Sequence, residues 1–202
     1  MKPLTTADQR VYMGVTGSGK STLARHQIQK HKRILIFDPN EETEHVISGA
    51  VVIYRPSELV AAVQNAGAVR IVWRGFRSMR NDAFEFGNRC AWAAGDFAVL
   101  WDEVDRFCRK GAALPEYAYQ MVHTGRHRRI RLFSCSRRPA SINIDIRSQA
   151  SRMMTATMHE PADVKALGER MGSAAAELPT LREYHFLDWS EKGASVRKAP
   201  FH

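Results

Sequence analysis

Short runs of apolar, β-branched residues alternate along the chain with longer segments whose apolar positions recur at helical spacing. That alternation predicts strands joined by crossover helices around a mainly parallel sheet, an α/β architecture with helices on its faces. Strands are expected at Arg10–Met13, Arg33–Phe37, Val51–Tyr54, Val69–Trp73, Phe97–Trp101, Arg131–Cys135 and Met153–Met158, with a terminal pair near Tyr184–Trp189 and Ser195–Lys198. Helices are expected at Ser21–Lys30, Pro56–Asn65, Asn81–Ala94, Leu114–His123 and Pro161–Met171. Pro56, Pro115 and Pro161 suit first-turn positions, where the missing N–H is no loss. No repeat, low-complexity tract or compositional break divides the sequence, and Gly172–Ala176 reads as a small-residue loop. Residues 1–202 are therefore expected to form a single domain.

Between the first predicted strand and the first predicted helix stands Gly14-Val15-Thr16-Gly17-Ser18-Gly19-Lys20-Ser21, a complete G-x-x-x-x-G-K-[ST] match. Glycines let the backbone wrap phosphates with its N–H groups inward, and the helix that follows adds the positive end of its dipole. Thr16, Gly17, Ser18, Gly19, Lys20, Ser21 and Thr22 are the expected nucleotide-binding residues. Lys20 would reach the β- and γ-phosphates of ATP, and the Ser21 hydroxyl would ligate Mg²⁺.

A later buried-type strand, Phe97–Trp101, runs into Asp102-Glu103, and strand C-terminal ends are where open α/β sheets hold ligands. Asp102 can hold Mg²⁺ opposite Ser21, and Glu103, pointing elsewhere, can orient or deprotonate the attacking water. The pair favours ATP hydrolysis over phosphoryl transfer to a small molecule, since hydrolysis needs a base aimed at water.

Charge adds a partner. Thirty Lys and Arg against twenty-one Asp and Glu leave a net +9, which favours a polyanion such as nucleic acid. The excess is concentrated in Arg70–Arg80 and, more densely, in Arg126–Arg138. No apolar run approaches the roughly eighteen residues of a membrane helix, and no apolar leader opens the chain, so a soluble protein not addressed for export is expected. Cys90, Cys108 and Cys135 are odd in number and far apart, against a disulfide framework or a zinc site.

The dense segment reads Gly125-Arg126-His127-Arg128-Arg129-Ile130-Arg131-Leu132-Phe133-Ser134-Cys135-Ser136-Arg137-Arg138-Pro139. A phosphate loop, an Asp-Glu strand, a basic turn, then a strand ending in a small polar residue and Arg-Pro, in that order, resembles the HerA and FtsK superfamily of DNA-pumping P-loop ATPases. Without accessory domains, it is most similar there to the stand-alone genome-packaging ATPases of membrane-containing icosahedral viruses and phages. The resemblance spans Val11 to Asp163 and implies a RecA-like fold with a catalytic set of Lys20, Glu103 and Arg126. Arg126 falls at the superfamily's arginine finger, which acts on ATP in a neighbouring subunit. Ser136 and Arg137 fall at its polar sensor, where Arg137 replaces the usual Gln. Arg128, Arg129 and Arg138 become DNA-contact candidates, although Arg128, Arg129 and Arg131 serve equally well as a solvated surface. The resemblance further implies double-stranded DNA as partner, a homo-oligomeric ring, usually a hexamer, and a capsid or vertex protein. It also implies residence in the host cytoplasm or at the virion packaging vertex.

Two other classes stay open on the residues alone. A nucleotide kinase shares the size and the loop, but no second-substrate signature or arginine-rich lid is visible. A nucleotide switch or phage assembly factor would have no need of Asp102-Glu103, and no Asn-Lys-x-Asp motif is present. His123 and His127 share helical spacing, but Gly125 interrupts the face, so metal binding is not expected there. Asp38-Pro39-Asn40 reads as a turn with nucleotide contact as the lesser alternative, and the four tryptophans read as packing.

Overall fold

The computed structural model of the protein describes residues 8–42 and 47–200. In chain order the elements begin with β1 (Gln9–Met13), α1 (Lys20–Ile28), β2 (Arg33–Phe37), β3 (Val51–Ile53), α2 (Pro56–Val63) and β4 (Val69–Trp73). The short α3 (Phe76–Met79), then α4 (Asp82–Ala94), β5 (Ala98–Trp101), α5 (Glu116–Thr124), β6 (Arg131–Ser136) and α6 (Ile144–Ser148) follow. The chain continues through β7 (Arg152–Thr155), α7 (Pro161–Met171), β8 (His185–Ser190) and β9 (Gly193–Lys198). Among the described residues the strands form one sheet in the order β3-β4-β2-β5-β6-β1-β7-β8-β9. β1 to β7 are mutually parallel, and β8 and β9 extend the sheet antiparallel.

Alternate side chains of the central strands enter two separate cores, as the two-residue period of a strand requires. Leu35, Phe37, Val99 and Trp101 join the larger core, beneath α2, α4, α5 and α7. Their sequence neighbours Ile34, Ile36, Ala98 and Leu100 join the smaller one, which α1 covers with Leu23, Ala24 and Ile28. Each large apolar side chain buried this way contributes about 1.5–3 kcal/mol, which is why the strands read as near-continuous apolar runs. Trp73 and Trp101 are fully buried, and each indole N–H has a partner: the Ala83 carbonyl at 2.8 Å and Asn88 Oδ1 at 2.8 Å. Gly87 sets how closely α4 approaches the sheet, since a Cβ there would stand 2.6 Å from the Phe37 ring.

The expected strands and main helices appear, with ends displaced by up to a few residues. Helices α3 and α6 were not expected. The strand expected over Met153–Met158 stops at Thr155, where its pairing with β8 ends at Leu187 and the chain turns so that Met158 N–H meets the Leu178 carbonyl. The expected loop at Gly172–Ala176 is part of a 3-10 helix over Gly172–Thr180, because Ala175 and Leu178, three residues apart, both reach the core. No helix among the described residues is long and apolar enough to cross a membrane.

The strand order has one consequence for chemistry. β6 lies between β1, which leads into the glycine loop, and β5, which ends in Asp102. At about 4.8 Å per strand, the loop and the acids stand roughly 10 Å apart, room for a phosphate chain between them.

Candidate active site at the strand C-terminal ends

The loop from Gly14 to Gly19 needs glycine where it bends. Gly17 and Gly19 have φ of 82° and 83°, in the left-handed region. At Gly14 a Cβ would stand 2.6 Å from Ser18 Oγ and 2.8 Å from Ala156 Cβ. Gly14 N–H donates to the Ser136 carbonyl at 3.3 Å, which ties the loop to the end of β6. Helix α1 then starts on Gly19 with no side-chain cap and no acid in its first turn, leaving its amide dipoles uncompensated toward the loop. Lys20 is buried, and its ammonium reaches the Val15 carbonyl only at a long 3.5 Å. A buried cation so weakly held is poised for an anion.

Across the cleft, Asp102 is buried at the end of β5 and accepts from three donors. Ser21 Oγ donates to its Oδ1 at 3.0 Å, Glu103 N–H to the same oxygen at 3.2 Å, and an Arg25 nitrogen to Oδ2 at 2.8 Å. Glu103 takes a left-handed backbone (φ 52°, ψ 48°), which costs a non-glycine residue about 1 kcal/mol and turns its side chain off the strand direction. That carboxylate, largely shielded, meets the Arg137 guanidinium at 3.3 Å, while Arg137 itself stays half exposed.

These groups surround one cleft of about 450 Å³. Thr16, Gly17, Gly19, Lys20, Ser21 and Thr22 form its floor, and Asp102, Glu103 and Arg137 stand opposite. Ser18 does not line it, and its hydroxyl is buried without a hydrogen-bond partner among the described residues. Ser136 is fully buried beside Met13 in the register of β1 and β6, and its hydroxyl accepts from Arg138 N–H at 3.2 Å. The donor set suits Mg²⁺: one hydroxyl and one carboxylate side by side, with no cluster of three or more His, Cys, Asp or Glu among the described residues that would make a protein-only cage.

The other residues singled out in the sequence lie elsewhere. Arg126 sits in a 3-10 turn (Gly125–Arg128) before β6, at the strand N-terminal ends and away from this chain's own loop. Arg128 donates to the Trp92 carbonyl at 3.1 and 3.0 Å and to the Ala93 carbonyl at 2.6 Å, capping the last turn of α4. Arg129 is exposed, with a left-handed φ of 56°. Arg138 donates to buried Asp163 at 2.7 Å, and Asp163 also accepts from Ala140 N–H at 2.9 Å, so this arginine braces the turn after β6. His123 packs against Tyr119 with ring centroids 4.3 Å apart and the rings tilted by 39°, and faces Asp145 at 3.5 Å.

Four lining residues were missed or set aside. Arg25 follows Ser21 by four positions, so both project from one face of α1 toward β5, a signal the spacing carried. Asn40 and Glu42 line the cleft from the turn after β2, read from sequence as an ordinary turn. That turn is held from below: Asp38 accepts from Glu42 N–H at 3.1 Å and from Arg74 at 2.7 and 2.9 Å in a fully buried pair. Tyr184 also lines the cleft, from just before β8, and local sequence gave no sign of it.

No family model matches the chain, and neither does any curated protein. Solved structures do match it. B204, the DNA-packaging ATPase from Sulfolobus turreted icosahedral virus, superposes with a TM-score of 0.75 at 22% identity, over 98% of this chain and 100% of that one. The genome packaging NTPase B204 from Sulfolobus turreted icosahedral virus 2, in complex with ATP-γ-S, gives 0.73 at 20% identity over 96% of both chains. VirB4 of Thermoanaerobacter pseudethanolicus gives 0.70 at 10% identity, over 100% of this chain and 92% of that one. The chain shares the fold of these proteins, a mostly parallel sheet flanked by helices with an antiparallel pair at its end.

Proposed function

We propose that this protein is an ATP-hydrolysing motor that moves double-stranded DNA, working as a homo-oligomeric ring to fill a preformed capsid. The observation that carries the hydrolytic part is the hydrogen bond from Ser21 Oγ to Asp102 Oδ1 at 3.0 Å, which joins the phosphate loop to the acid strand inside one cleft. The likeness of fold to a protein described as a DNA-packaging ATPase supports the cargo.

In this reading the loop amides and Lys20 hold the β- and γ-phosphates, with Thr16 and Thr22 at the cleft wall. Ser21 and Asp102 would hold Mg²⁺, whose positive charge would offset the charge that develops on the phosphates. Arg25 aims Asp102 by occupying its second oxygen. Glu103 orients the attacking water and accepts its proton. Arg137 pairs with Glu103 at the cleft wall, so a terminal phosphate competes for its guanidinium; that competition frees Glu103 when ATP arrives and makes Arg137, with Ser136, the sensor of the γ-phosphate. Arg126 is too far along β6 to serve its own nucleotide, since six strand residues span about 20 Å. It therefore acts on the ATP of a neighbour, which is what calls for a ring, taken here as a hexamer. A capsid or vertex protein would receive the ring, in the host cytoplasm or at the packaging vertex.

The test is ATP turnover with and without double-stranded DNA, alongside the mass of the protein in solution. DNA-stimulated phosphate release by a ring-sized assembly is the expected result. Transfer of the γ-phosphate to a nucleoside or nucleotide would establish a kinase instead.

A further inference from the structure

The nucleotide cleft occupies one rim of the sheet, and the protein's excess charge occupies the other. Among the described residues, the turns entering the parallel strands and the first two residues of each strand carry ten Lys or Arg and two acids, Asp8 and Asp96. Arg10, Arg33, Arg70, Arg131 and Arg152 are first or second in their strands, and Lys30, Lys32, Arg126, Arg128 and Arg129 lie in the entering turns. These residues carry a net eight positive charges, one of them Arg152, which is paired with Asp188 of β8.

Most of the strand-start arginines are engaged within the fold. Arg10 pairs with Asp8 at 2.7 Å, Arg131 with Asp96 at 3.4 Å, Arg33 donates to the Val63 carbonyl at 2.7 Å and Arg70 to the Ser48 carbonyl at 2.8 Å. Lys30, Lys32, Arg126 and Arg129 are exposed and have no side-chain partner among the described residues. The sheet separates these four. Lys30 and Lys32 follow α1 on the face of the smaller core, and Arg126 and Arg129 follow α5 on the opposite face.

Between the turn after α1 and the turns after α2 and α4, the rim is hollowed into a depression of about 610 Å³, walled by Lys30, His31, Lys32, Arg33 and Arg131, with Asp96 as its one acid. Ala66, Gly67 and Ala68 complete the wall and leave it open, with no bulky side chain in the way. Burial and then neighbouring cations disfavour positive charge here, with Asp8 opposing them. Burial, then the charges of Arg131 and Lys30, push the His31 imidazole down to about 4, and burial with Arg10 lowers Lys30. A surface that destabilises its own positive charges gains when an anion arrives, and the gain recurs with each phosphate along a polyanion.

We infer that this stretch of the entry rim, centred on Lys30 and Lys32, is a binding surface for the phosphate backbone of duplex DNA, separate from the nucleotide cleft. The choice of duplex DNA among polyanions rests on the motor reading above; the position of the surface does not. Among the contacts suggested by sequence, Arg128 is engaged in capping α4 and Arg138 in bracing the turn after β6, which leaves Lys30 and Lys32 the freer cations.

The test is fluorescence anisotropy of a short random-sequence duplex with the full chain, across a salt series. The K30A/K32A variant is expected to bind at least about tenfold more weakly, with a log–log salt slope shallower by about two, while its ATP binding equals wild type. Equal duplex affinity in variant and wild type would overturn the assignment. No duplex binding by the wild type even at low salt would overturn the motor reading instead. Lysine acetylation of the wild-type chain gives a second readout free of any folding effect: duplex should protect Lys30 and Lys32, and protection confined to other lysines would also sink the proposal.

Discussion

The two rims of the sheet use the same residue, arginine, in opposite ways. At the nucleotide rim the arginines meet carboxylates: Arg25 with Asp102, Arg74 with Asp38, Arg77 with Glu41, Arg137 with Glu103 and Arg138 with Asp163. The arginine charge there is balanced in pairs, while Lys20 and the loop amides lack a carboxylate, so in the proposed reading phosphates meet the loop and exchange partners with the pairs. At the entry rim carboxylates are scarcer: Arg10, Arg131 and Arg152 meet Asp8, Asp96 and Asp188, but Arg33, Arg70 and Arg128 are held by carbonyls, which leaves their charge uncancelled. Pairing makes a site that switches, and surplus makes a surface that attracts. Sequence counts of charge hide this difference, because both rims are rich in arginine.

Arg126 provides the severest way to break the comparison, because it is an entry-rim residue assigned to a nucleotide. Arg126→Ala is expected to bind ATP normally and to hydrolyse it on the order of a thousandfold more slowly, measured by phosphate release. Mixed with Lys20→Ala subunits, which cannot fire but still offer Arg126, it should recover turnover above either variant alone. Undiminished hydrolysis by Arg126→Ala would place all the chemistry on one rim and end the finger assignment.

A smaller loss, about 10²- to 10⁴-fold, is expected for Glu103→Gln, which keeps the phosphate cradle but cannot accept a proton from water. ATP affinity should be retained, because Glu103 already shares its charge with Arg137 and not with the loop. Loss of ATP binding in this variant would show that the pair with Arg137 is structural.

Arg128→Ala sharpens the comparison from the other side, by separating a rim cation that serves the fold from those that serve a ligand. Its three hydrogen bonds to the end of α4 predict a stability loss of about 1–3 kcal/mol in urea unfolding, with duplex affinity nearly unchanged. A collapse of DNA binding without loss of stability would return Arg128 to the contact surface.

Several things were decided by sequence alone, and each is a local matter. The glycine loop is legible because Gly17 and Gly19 must take left-handed φ and Gly14 must leave room for Ser18, requirements that only glycine meets easily. The parallel sheet is legible because strands buried on both faces must be apolar at every position, as Ala98–Trp101 are. Asp102 and Glu103 follow from the same logic, as acids that end such a strand. Tertiary structure alone decided which distant residues meet. Ser21 and Asp102 are 81 positions apart, and Arg74 holds Asp38 from 36 away; neither contact has a local signature, because both depend on the strand order that sets β6 between β1 and β5 and β4 beside β2. The division of the arginines into those that cap, brace or pair and those left to solvent has the same origin. A guanidinium is equally basic in every sequence context, and only the carbonyl or carboxylate that folding brings within about 3 Å settles whether its charge is spent inside the molecule or presented outside it.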